Sequence, residues 1–172
     1  MGVNHVSNFR GNAYTLMRLD GSPDQVLLHV SIPSPGAISL DGRTLAVLPG
    51  MDHSEEPARK VILVSLSNAS QRTVDLPFAG LGCGHFSPDG RSLYCTGREA
   101  DSGAQTLYEV PVDGSKPRVV ARSDSREIAG TSALSPDGKS ILQTVAGVRR
   151  AAFAILDYSD GMTRLLSSSK KP

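Results

Sequence analysis

The stretch HFSPDGRSLY, residues 85–94, returns as ALSPDGKSIL at 133–142, and a looser relative, AISLDGRTLA, stands at 37–46. The three are spaced 48 residues apart. Within the central copy, proline at Pro88 presets φ near −65° for the second position of a type I turn. Asp89 suits the third, and Gly90 takes the left-handed position without steric cost. A type I turn closed by such a residue predicts a three-residue hairpin loop with a bulge. Apolar residues flank it on both sides, Phe86 before and Leu93 and Tyr94 after. Each copy therefore reads as strand, tight turn, strand. The turn residues are Asp41 and Gly42 in the first copy, Pro88, Asp89 and Gly90 in the second, and Pro136, Asp137 and Gly138 in the third. Leu40 holds the proline position of the first copy, which permits the turn without presetting it.

A second set of positions recurs every 46 residues: Ile62, Tyr108 and Ala154; Val64, Val110 and Leu156; Leu66, Val112 and Tyr158; Arg72, Arg118 and Arg164; Val74, Val120 and Leu166. The apolar positions alternate at period two, which is strand spacing. Turn residues separate the runs at Ser67-Asn68, Asp113-Gly114 and Ser159-Asp160-Gly161. The unit is four short antiparallel strands in about 46 residues, the length and strand count of one propeller blade. A β-sandwich with fortuitous spacing is the other reading. The expected class is all-β, a β-propeller of four-stranded antiparallel blades that is incomplete or irregularly closed.

These repeats resemble the WD-repeat-like blades of the TolB type. An aromatic or apolar residue precedes SPDG, a basic residue follows, and the unit continues into LYEVPVDGSKPRVV at 107–120. The resemblance covers roughly residues 14–166. There is no tryptophan, so the WD dipeptide of WD repeats proper is absent. The resemblance implies a propeller fold and is nearly silent on activity. Such blades occur in periplasmic TolB, in prolyl-type peptidases and in the extracytoplasmic parts of bacterial receptor kinases.

The expected organisation is one propeller segment over 1–172, with a partial blade at 1–29, blades at 30–78, 79–123 and 124–168, and a disordered tail at 169–172. In the partial blade, Met17 and Leu19 stand where Val110 and Val112 stand later, and Asp20-Gly21 where Asp113-Gly114 stand. Three and a half blades are fewer than the usual four to eight of a closed ring. A TolB-type ring of six would need about 276 residues at this period. Three explanations follow: a piece of a larger propeller, an irregular four-bladed ring, or an open arc whose unpaired strand edges favour self-association.

Composition sets further bounds. A content of 39% hydrophobic and 20% charged residues is ordinary for a globular chain. A net charge of +1, from 18 basic and 17 acidic residues, gives no electrostatic reason to expect nucleic acid. No apolar run is long enough for a membrane helix, and MGVNHVSNFRGNAYTLM at the start does not read as a signal peptide. Compartment stays open.

Cys83 and Cys95 are the only cysteines. With a Pro88-Asp89-Gly90 loop, Ser87 faces Arg91, and the same register sets Cys83 opposite Cys95. Directly opposed Cβ atoms lie about 4.5–5.5 Å apart, within reach of a strained cross-strand disulfide. Two small buried thiols are the alternative. Asp52, His53, Glu55 and Glu56 share a loop that reads as a solvated acidic turn rather than a metal site. His85 reads as a structural histidine. Arg72, Arg118 and Arg164 could form a ring of charge for an acidic ligand, or face solvent on the outermost strand. No nucleophile elbow and no phosphate-binding loop is present. The glycine-rich GLGCGHF at 80–86 leads into a strand, so it lacks the helix N-terminus that phosphate binding uses.

No catalytic, cofactor or metal residue is therefore expected. The reading is a non-catalytic scaffold for protein contact, with a protein partner and no nucleic acid or membrane insertion. Its rival is the propeller segment of a larger enzyme or receptor, with catalysis elsewhere. A sugar-binding propeller usually lines its pocket with aromatic residues, and aromatics are 5% here.

Overall fold

The computed structural model describes residues 12–30, 34–49, 58–99, 103–122, 128–135, 137–146 and 151–157. These form twelve strands: β1 (Asn12–Leu16), β2 (Gln25–Val30), β3 (Gly36–Ile38), β4 (Thr44–Val47), β5 (Ala58–Ser65), β6 (Gln71–Phe86), β7 (Ser92–Arg98), β8 (Gln105–Pro111), β9 (Arg118–Arg122), β10 (Ile128–Leu134), β11 (Ser140–Ala146) and β12 (Ala151–Asp157). All pairings are antiparallel between chain neighbours. They make a two-stranded sheet β1-β2, a seven-stranded sheet β3 to β9 and a three-stranded sheet β10-β11-β12. Pro136 and Arg164, the acidic loop at 51–57 and the tail at 169–172 lie outside the described residues.

The seven-stranded sheet joins two units through β6. Val74, Leu76 and Phe78 are buried while Asp75 and Pro77 between them are exposed, so no turn interrupts the alternation. Pairing with β5 slips here: Lys60 faces Asp75, but Ala58 faces Gly80. Pro77, which has no N–H to give a ladder, falls inside that irregularity. The boundary read between residues 78 and 79 therefore lies within one continuous strand.

The partial first unit shares the register of the second unit's outer hairpin. Tyr14 faces Leu28 and Thr15 faces Val26, with a shift between them. Their counterparts in the second unit do the same: Leu107 faces Ala121 and Tyr108 faces Val119, again with a shift between. Thus β1-β2 is equivalent to β8-β9.

Burial follows from this repetition, because each apolar cluster lies between successive units. Leu27 and Leu28 pack with Leu45, Val47 and Val64. Ala46, Leu63, Val74, Leu76 and Phe78 pack with Cys83, Leu93, Cys95, Tyr108 and Val110. Tyr94, Leu107 and Ala121 pack with Ile141. Between successive units, the face that one unit turns toward the next thus packs on that next unit.

The outer turns show one local strain. Gly21 and Gly114 adopt φ of 81° and 85°; the first unit's turn closes one residue later, Ala69 N–H donating to the Ser65 carbonyl, and Ala69 takes the left-handed position at φ 56°. A Cβ in the left-handed region costs about 1 kcal/mol or more relative to glycine. Ala69→Gly is expected to raise the melting temperature by roughly 2–4 °C. A calorimetric melt checks this; an unchanged or lowered value would show that the strain is already relieved.

Candidate interaction face

Each inner turn is held by a set of hydrogen bonds centred on its first serine. Ser87 N–H donates to the Ser92 carbonyl (2.8 Å) and Gly90 N–H to the Ser87 carbonyl (2.9 Å). Ser87 Oγ–H donates to Asp89 Oδ1 (2.6 Å) and Oγ accepts from the Ser92 amide (2.9 Å). Asp89 Oδ1 also accepts from Arg91 N–H (3.0 Å). The same three side-chain bonds recur for Ser39, Asp41, Arg43 and Thr44. They recur again for Ser135, Asp137, Lys139 and Ser140. Gly42, Gly90 and Gly138 carry φ of 67°, 70° and 71°, so the leucine-bearing first turn adopts the same shape as the other two.

This geometry corrects the loop read from sequence. Ser87 faces Ser92, not Arg91, because the Arg91 amide is held by Asp89 and its carbonyl accepts from Val112 N–H (2.9 Å). The loop is one residue longer than a three-residue hairpin. A shift between Cys83 and His85, with Gly84 as the extra residue, restores the register, and Cys83 faces Cys95. Their sulfurs are bonded at 2.13 Å, with Cα atoms 4.0 Å apart.

The serine set stabilises the ionised form of its aspartates and so lowers their pKa. The Ser87 hydroxyl and then the Arg91 amide hold the Asp89 carboxyl below the usual carboxylate value. Asp41 and Asp137 are shifted the same way by Ser39 and Ser135. Asp20 and Asp113 are lowered by Ser22 and Ser115. A carboxylate with a depressed folded value adds stability above its unfolded value. It loses that stability as pH falls through the folded value. Melting temperature is therefore expected to fall increasingly as pH drops below about 4. The triple variant Asp41→Asn, Asp89→Asn, Asp137→Asn should melt lower at neutral pH and show a shallower acid slope. Equal slopes for both proteins would refute the assignment.

The three inner turns converge. A Cβ placed on Gly138 would lie 2.2 Å from Pro88 Cγ, so the proline of one turn packs on the glycine of the next. Beside them opens a cleft of about 110 Å³ lined by Ile38, Leu40, His85, Phe86, Pro88, Leu134 and Ser135. Ile38 and Leu40 are 57% and 72% exposed, an unusual placement for two large aliphatic side chains so close together. The serine hydroxyls of the turns donate to their aspartates. Sequence reading singled out the turns but missed the cleft. The signal was present as leucine in the proline position of the first copy.

Of the repeated arginines, Arg72 and Arg118 lie among the described residues, and each makes its own contact. Arg72 Nη1–H donates to the Val112 carbonyl at 2.5 Å and so ties the first unit to the second. Arg118 pairs with Glu109 at 2.5 Å on its own unit. Among the described residues, no group of three His, Cys, Asp or Glu side chains could hold a metal ion. No helix among them is long and apolar enough to cross a membrane.

Comparison with solved structures identifies the architecture. TolB from Acinetobacter baumannii superposes with a TM-score of 0.70 at 18% identity, covering 90% of this chain and 37% of that one. The fold is a partial TolB-like β-propeller. A putative TolB from Agrobacterium tumefaciens gives 0.62 at 21% identity, covering 85% of this chain and 50% of that one. The β-propeller domain of the Trilobed protease from Pyrococcus furiosus, described as having an open velcro topology, gives 0.57 at 13% identity, covering 77% and 40%. The chain thus spans half or less of the length of these three. No protein-family model and no curated protein matches it.

Proposed function

We propose that this propeller arc is a non-catalytic interaction module that grips an apolar segment of a protein partner in the cleft between its inner turns. The observation that carries this reading is the pair of exposed aliphatic side chains, Ile38 and Leu40, beside Phe86, Pro88 and Leu134. Rigid turns hold these residues in place, which lowers the entropy cost of binding. The rim carries both signs of charge, Arg43, Arg91 and Lys139 beside Asp41, Asp89 and Asp137. That mixture suits a peptide backbone with apolar anchors better than a polyanion. The test is selection of displayed random peptides on the chain, followed by titration calorimetry. Selected peptides should be rich in apolar residues and should lose at least about tenfold in affinity to Leu40→Asp, with an unchanged melt. Failure to select any peptide, or selected binders indifferent to Leu40→Asp, would overturn the reading.

A second reading, favoured by the chain's partial coverage of its structural neighbours, makes this arc the propeller portion of a larger protein whose catalysis lies elsewhere. The likeness to a protease propeller domain supports it. Under that reading the same cleft would guide or gate a substrate segment, and Leu40→Asp would alter the parent's KM rather than its kcat.

A further inference from the structure

The repeat allows each unit to be compared with itself, and two faces stand out as uncovered. On the face that meets the preceding unit, Val64 and Val110 are both fully buried, but the equivalent Met17 is 72% exposed. One step on, Leu66 and Val112 pack against the clusters of their units, while the equivalent Leu19 is fully exposed. The shared register and shared bulge of β1-β2 and β8-β9 make this equivalence structural as well as sequential. On the face that meets the following unit, Ala46 and Tyr94 are 0% and 7% exposed, but the equivalent Leu142 on β11 is 39% exposed. Thus, among the described residues, the segment between β1 and β2 leaves a leading face uncovered and β11 a trailing face. Between consecutive units these same two faces meet and bury each other.

We infer that a second copy of this chain docks head to tail, its leading face at Met17 and Leu19 covering the trailing face at Leu142. Both halves of the contact are present on one chain, and the contact continues a packing already made three times within it. Such a contact is heterologous, so it closes into a ring only where the rotation allows. It buries sheet faces rather than pairing strand edges, which distinguishes it from edge-driven association.

Light scattering coupled to size exclusion tests this on the whole chain across the micromolar range. Wild type should run at twice the monomer mass or as a larger closed species. Leu19→Arg and Leu142→Arg should each run as monomers. Both positions are exposed in the single chain, so the fold is expected to survive, and a far-UV melt verifies that. Mixing the two variants restores one intact contact and should yield a dimer and nothing larger. A wild-type monomer at every concentration would overturn the proposal and assign the uncovered faces to other chain. So would an assembly or aggregate indifferent to both substitutions, or folded variants that remain monomeric when mixed.

Discussion

Replacing Phe78 with alanine is expected to lower stability by about 3–5 kcal/mol, the range for a buried phenylalanine. In a chain of this length that corresponds to roughly 6–20 °C in melting temperature. Phe78 is 2% exposed, and its ring stacks on Tyr108 with centroids 3.8 Å apart and planes 6° from parallel. It stands on β6 at the irregularity where the first unit passes into the second, and Tyr108 stands on β8 of the second unit. Loss of the ring therefore opens a cavity between units. The notch that receives it is Gly97: a Cβ there would lie 2.2 Å from Phe78 Cδ2 and 2.9 Å from the Ala79 carbonyl. Gly97→Ala alone should cost about 1–3 kcal/mol by overpacking. With Phe78→Ala already present, much of that cost should vanish, because the added methyl then enters space the ring has left. The residual backbone contact sets a floor on the recovery. Thermal or urea melts of the two single variants and the double variant measure the coupling. Additive losses would mean that Phe78 and Gly97 do not share one packing site.

Local chemistry explains which parts of this architecture are legible in sequence. The inner turns announce themselves because proline, aspartate and glycine each answer a particular dihedral demand. The alternating apolar positions declare strands for similar reasons. Contacts between units leave a weaker trace. The Arg72 bond to the Val112 carbonyl, the seat of Pro88 on Gly138 and the Gly97 notch for Phe78 join residues 40 to 50 or about 20 apart. They depend on how whole sheets are set against each other. The continuous β6 escapes for another reason: a proline at Pro77 suggests a break, yet a slip in pairing accommodates it. The serine-centred bonds were within reach. Ser39, Ser87 and Ser135 recur two residues before Asp41, Asp89 and Asp137, a spacing as regular as the aspartate and glycine. The aspartate and glycine drew the reading because their role is conformational, whereas the serine's role is to bridge the aspartate carboxylate and a strand amide. The cleft followed from a residue that departs from its repeat, Leu40, and the same kind of departure marks Met17, Leu19 and Leu142.

Removing the Cys83–Cys95 bridge should cost about 2–3 kcal/mol, or roughly 4–12 °C. The bridge joins residues 12 apart in sequence, at a facing pair on β6 and β7. In the chain-entropy account, closing a loop of that length removes about 3 kcal/mol of freedom from the unfolded chain. The hairpin between the cysteines carries its own turn chemistry, the Ser87 set, so some of that restriction persists without the bridge and the observed loss should fall below the full figure. Both cysteines are buried, at 2% and 0% exposure, in the cluster between the first and second units. Reduction of the folded protein should therefore be slow and should speed up sharply once the chain is unfolded. Protein made in an oxidising compartment, denatured and treated with a thiol label, should take up no label before reduction and two after it. The variant carrying Cys83→Ala and Cys95→Ala should melt near the reduced wild type. Labelling of both cysteines without reductant would overturn the bridge itself. A bridged protein whose melt is unmoved by reduction would instead show that the turn already imposes the constraint the disulfide adds.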